Sequence, residues 1–129
     1  MKGLEYIKDA VEAIRAAVEG TYTVQDVVIA SAGTVSTEID FQKYKYLSFL
    51  MPAAWTAATL TLKGSATAAG TKVAIKNDSD VAIPAMTVAV DTIYSVDTSV
   101  LFIAGIHFLA FESSAAQDAE RTIKVMLKA

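Results

Sequence analysis

The spacing of apolar positions divides the chain near Gly20. Before it, Leu4, Ile7, Val11, Ile14 and Val18 recur at steps of three and four, the period of an amphipathic helix. Glu5, Lys8, Asp9, Glu12, Arg15 and Glu19 fall mainly on the other faces, four alanines add helix propensity, and Gly20 stands where a helix C-terminus wants a glycine. After Gly20 the period becomes two. Leu60 and Leu62 alternate with Thr59, Thr61 and Lys63; Val73 and Ile75 alternate with Lys72, Ala74 and Lys76; Ile123, Val125 and Leu127 alternate with Thr122, Lys124 and Lys128. Such runs form antiparallel strands with one face on a core and the other toward water or a partner.

The pattern predicts strands over 22–29, 35–41, 46–51, 58–63, 72–76, 86–94, 100–103, 107–112 and 122–127. Turn signals separate them at Ala32-Gly33-Thr34, Gly64-Ser65, Ala69-Gly70-Thr71, Asn77-Asp78-Ser79-Asp80 and Gly105. The expected architecture is mainly β: a single antiparallel β-sandwich over 21–129, jelly-roll-like, of about eight strands. An N-terminal α-helix over 1–20 is appended to it. The helix stripe of Leu4, Ile7, Val11, Ile14 and Val18 either docks on its own domain or forms a short seam where subunits or a larger surface meet. A seam of this length is marginal alone and would need help from the globular part.

Composition narrows the function. In 129 residues, 53% are hydrophobic and only 19% charged, with a net charge of −3. That leaves room for one domain rich in apolar surface, not for a disordered chain. A nucleic-acid surface would need a clustered excess of Lys and Arg, which is missing. No membrane span is expected, because the longest uncharged stretch, 46–62, is broken by Ser48, Pro52, Thr56, Thr59 and Thr61. Glu5 soon after Lys2 gives no signal-peptide pattern. With no Cys and a single His, thiolate metal sites, disulfides and cysteine nucleophiles are excluded.

Candidates for chemistry are few. His107 lies in an apolar, aromatic run and reads as a strand residue rather than a general base. Asn77-Asp78-Ser79-Asp80 begins like a calcium loop but lacks the glycine and the later Glu, so it reads as a polar turn. Glu112, Asp118 and Glu120 read as loop charges. No enzyme, cofactor or metal is expected. Trp55 sits in an apolar connection with Met51 and Pro52 and reads as a plug at one end of the sandwich. The alternative is a sugar-stacking role for Tyr44, Tyr46 and Trp55, suggested by the interleaved Lys43-Tyr44-Lys45-Tyr46.

Met51-Pro52-Ala53-Ala54-Trp55-Thr56-Ala57-Ala58 followed by Leu60-Thr61 resembles a signature in a family of small virion proteins of tailed bacteriophages. Ile39-Asp40-Phe41 with 44–50 fills the place of the strand that leads into that signature. Ala115–Val125, with Arg121-Thr122-Ile123, is similar to the family's closing segment. The middle, 64–94, departs from the family's usual hairpin. The resemblance implies a virion structural protein made in the host cytoplasm, most simply a capsid decoration (cement) or head-fibre protein. It would bind the major capsid protein or other virion proteins as a homo-oligomer, with a trimer favoured, and no nucleic acid or membrane would be a partner. The alternative is a tail- or fibre-associated sandwich that binds host glycan.

Overall fold

The computed structural model describes residues 7–11, 22–98 and 103–129. Among them nine strands form two antiparallel sheets: β1 (Tyr22–Ile29), β2 (Ile39–Asp40), β3 (Tyr46–Leu50), β4 (Thr59–Ser65), β5 (Val73–Ala74), β6 (Met86–Thr87), β7 (Ile93–Val96), β8 (Phe108–Ser113) and β9 (Arg121–Lys128). One sheet has the order β1-β9-β3-β7 and the other β2-β8-β4-β5, with β6 also on β4. β5 pairs with the end of β4, at Lys63 and Gly64, and β6 with its beginning, at Thr59 and Leu60. The two short strands therefore share one position, which leaves eight. The chain crosses between sheets at nearly every connection, and this order is that of a jelly roll.

Alternation explains the core. Val27, Ile29, Leu47, Phe49, Ile123, Val125 and Leu127 of the first sheet are buried against Ile39, Leu60, Leu62, Leu109 and Phe111 of the second. Phe49 joins the layers, its ring 4.9 Å from that of Phe111 and 5.4 Å from that of Tyr94. Burying such rings stabilises the fold by roughly 2–3 kcal/mol each. A second bridge is polar: the Gln25 amide donates to the Asp40 carbonyl at 3.0 Å and accepts from the Asp40 N–H at 3.0 Å.

Three expectations need correction. Gly64-Ser65 is not a turn but the last part of β4. A Cβ on Gly64 would lie 2.7 Å from Ile106 Cγ2, so glycine is there for close approach. The run expected over 86–94 is two strands, separated by a turn in which Asp91 has φ 52° and its N–H donates to the Pro52 carbonyl. Of the 35–41 run, only Ile39–Asp40 is a strand, with isolated bridges at Val35 and Ser36. The Asn77–Asp80 turn is as expected: Asn77 Oδ1 accepts from the N–H groups of Ser79 and Val81, both at 2.9 Å. It caps a small hairpin, closed by Ile83 N–H to the Ile75 carbonyl, that separates β5 from β6.

Residues 7–11 are helical. Leu4, Ile14, Val18 and Gly20 lie outside the described residues, as does most of the run expected over 100–103.

Candidate binding surface

The segment that carries the sequence signature is a structural joint. Met51 is 1% exposed in the core, and the Pro52 carbonyl holds the Asp91 turn. Trp55 is half-buried against the core, and its indole N–H donates to the Ala58 carbonyl at 3.3 Å. Thr56 then meets the closing segment. Gln117, 1% exposed, accepts the Thr56 N–H at 2.9 Å and returns its own amide to the Thr56 carbonyl at 3.2 Å and to Ser113 Oγ at 3.1 Å. Arg121 Nε donates to Gln117 Oε1 at 3.3 Å, and its guanidinium pairs with Asp118. The Asp118 N–H bonds Thr56 Oγ1 at 3.2 Å. A buried amide held on both its donor and acceptor sides makes a well-satisfied network. The Met51–Thr61 segment and the closing segment thus touch each other in this chain. Gln117 carried no signal in the sequence beyond being polar in an Ala-rich stretch.

The opposite end of β9 is open. Tyr22 of β1 and Tyr46 of β3 both stand opposite Lys128 of β9, so the three side chains form one row on the outer face of the first sheet. Lys128 Nζ lies 5.3 Å from the Tyr22 ring centroid and 5.7 Å from that of Tyr46, with Lys45 Nζ 6.0 Å from the latter. These are cation–π distances. Tyr22 is 75% and Tyr46 52% exposed. Behind the row, β9 supplies Met126 and β3 supplies Ser48, which with the two tyrosines and Lys128 line a shallow groove. Lys63, Lys72, Lys76, Arg121 and Lys124 are all ion-paired. Among the described residues of the sandwich, Lys43, Lys45 and Lys128 have no such pair. Sequence reasoning found Tyr46 and its neighbours; Tyr22 and Lys128 join them only through strand register.

Of the stacking trio read from the sequence, Tyr44 packs against the core and Tyr46 is on the open face. Trp55 lies beyond the far end of β3. The five residues of β3 separate it from Tyr46 by roughly 15 Å of strand, so the three do not form one platform. In the helix, Ile7 is 59% and Val11 49% exposed.

His107 is exposed at the rim of a concavity of about 370 Å³ lined by Gly64, Ser65, Val73, Ile75, Lys76 and Ile106, a mainly apolar surface with no carboxylate among the described residues. Glu112, read as a loop charge at the end of the run expected over 107–112, lies within β8 and pairs with Lys63 at 2.8 Å. Among the described residues no group of three His, Cys, Asp or Glu side chains could hold a metal ion. No helix among them is long and apolar enough to cross a membrane.

Comparison with known proteins gives one fold-level likeness. The chain is similar to the crystal structure of the SPBc2 prophage-derived protein YomS, with a TM-score of 0.52 and 17% sequence identity, covering 84% of this chain and 96% of that one. No protein-family model matches the sequence, and no curated protein matches it.

Proposed function

We propose that this chain is a bacteriophage virion structural protein, most simply a capsid decoration or head-fibre protein that binds the major capsid protein as a homo-oligomer, with a trimer favoured. The observation that carries the reading is the fold-level likeness to a prophage-derived protein over 84% of this chain and 96% of that one. The resemblance of Met51–Thr61 to a signature of small virion proteins also supports it. Exposed Ile7 and Val11 supply apolar surface for assembly or attachment.

Two experiments test this. Imaging of intact particles with the protein labelled locates it on the head, on the tail or on neither, and the last result ends the virion reading. Sedimentation of the purified protein, alone and as Ile7→Asp with Ile14→Asp, tests assembly. A monomer in both forms rules out the helix stripe as the oligomer contact.

A second reading has an observation of its own: the Tyr22–Lys128–Tyr46 row supports a sandwich that binds host glycan.

A further inference from the structure

The open row at the end of the first sheet has the chemistry of a ligand site. We infer that Tyr22, Tyr46, Lys45 and Lys128 bind a saccharide chain that carries carboxylates, with the sugar faces on the tyrosine rings and the carboxylates on the two ammonium groups. The inference rests on the glycan-binding reading and names its ligand class and its residues. It is independent of where on a particle the chain sits.

Three features carry it. First, the two rings stand on β1 and β3 with β9 between them, two interstrand spacings or roughly 10 Å apart. Sugar units can bridge that span, and the intervening groove is floored by Met126 and Ser48. Second, two exposed aromatic rings lie beside Lys45 and Lys128, which together with Lys43 are the sandwich cations without an ion pair among the described residues, while the five others are paired, in a chain of net charge −3. Charge of the opposite sign is the complement of that corner. Single ammonium groups act as point charges and pair with separate carboxylates without the fork geometry of a guanidinium.

Third, the row lies on the face of the sheet, centred on an interior strand. The backbone groups of β9 are taken on both sides by β1 and β3, and Ser48 Oγ is bonded to Ser95 Oγ at 3.0 Å. A peptide laid here would lose water from its amides and find few partners. A saccharide places a C–H face on a ring and keeps its hydroxyls in water. The recognition left available is stacking plus charge, which a carboxylated sugar uses fully.

The test is a titration of the intact protein, followed by backbone amide chemical shifts, with three probes: a galacturonic acid hexamer, neutral maltohexaose and hexaglutamate. The expected result is a saturable shift of Tyr22, Tyr46, Met126 and Lys128 with the uronate alone, weakened by raising NaCl from about 50 to about 500 mM. Tyr22→Ser, Tyr46→Ser and Lys128→Gln should each weaken it by about fivefold or more. Lys45→Gln, on an exposed loop, is a variant whose folding is secure and should weaken it likewise. No shift with the uronate, equal binding of hexaglutamate or of maltohexaose, or full binding by the four variants each overturns the inference. None of these outcomes bears on whether the protein is found on a particle, which imaging decides separately.

Discussion

The two ends of β9 put polar side chains to opposite uses. At Arg121 the strand enters a network in which a buried glutamine, a threonine backbone and an arginine satisfy one another and tie the closing segment to the β3–β4 connection. At Lys128, seven residues along the same strand, the ammonium lies between two exposed rings and meets no carboxylate among the described residues. The first arrangement is built to be closed, because any group removed leaves a buried partner unsatisfied. The second is already in water, and removing a group from it leaves nothing stranded. The difference separates a joint from a surface, even though both ends are made of residues that look alike in a list of polar side chains.

The largest expected effect follows from the closed end. Gln117→Ala removes the partners of the Thr56 N–H and carbonyl, of Ser113 Oγ and of Arg121 Nε together. It should cost about 3 kcal/mol in urea unfolding, or a fall of roughly 10 °C in Tm for a domain of this size. A loss below about 1 kcal/mol would mean that the network is incidental and that the contrast between the two ends has no energetic content. Trp55→Ala comes next. Its indole is half-buried against the core with one hydrogen bond, so about 2 kcal/mol is expected, below the cost of truncating a fully buried aromatic. The same variant should leave uronate binding unchanged, because Tyr46 begins β3 and Trp55 lies beyond its other end. Weakened binding would merge the two ends into one site.

The closed end was half legible in the sequence and the open end less so. Alternation within β4 and β9 places Leu60, Leu62, Ile123, Val125 and Leu127 inward, because a two-residue period with one buried face admits a single register. The runs and turns predict about eight strands in a jelly-roll-like order, and the order of the two sheets agrees with it. The split of the 86–94 run did not follow, since its break depends on Asp91 in a left-handed conformation held by the Pro52 carbonyl, a contact from a distant connection. Gly64 misled for a related reason. A glycine signals either a turn or a close approach, and only the position of Ile106 decides which. Met51 and Trp55 stand out as structural residues, whereas Gln117 acquires its role only when the closing segment is brought against Thr56. Tyr22 and Lys128 lie more than a hundred residues apart, and nothing local to either announces the other. Pairing register alone makes them neighbours.

A smaller effect of opposite sign sharpens the account of the closed end. Ala32 has φ 64° while its N–H donates to the Gln117 carbonyl at 2.7 Å. An alanine in the left-handed region is strained by roughly 1 kcal/mol, and the network holds it there. Ala32→Gly should therefore stabilise the protein by about 0.5–1 kcal/mol in the same unfolding measurement. It should do so less clearly in the Gln117→Ala background, where the loop is freer to relax. Equal gains in both backgrounds would mean that the strain is local to the turn and is not maintained by the joint.

The smallest effect is expected at the open end. Lys128 is half-exposed, its contacts are two ring faces at cation–π distance, and exposed contacts of this kind are worth about 0.5–1 kcal/mol at most. Relief of repulsion from Lys45, whose ammonium approaches the same Tyr46 ring, offsets part of that. Lys128→Gln should therefore change unfolding free energy by less than about 0.5 kcal/mol. The change should shrink further in high salt. The comparison depends on this near-zero value together with the loss of uronate binding in the same variant. A substitution that leaves stability unmoved while removing binding separates a ligand surface from a structural one. A cost near that of Gln117→Ala would instead show that the tyrosine–lysine row closes the sheet end, and both ends of β9 would then be joints.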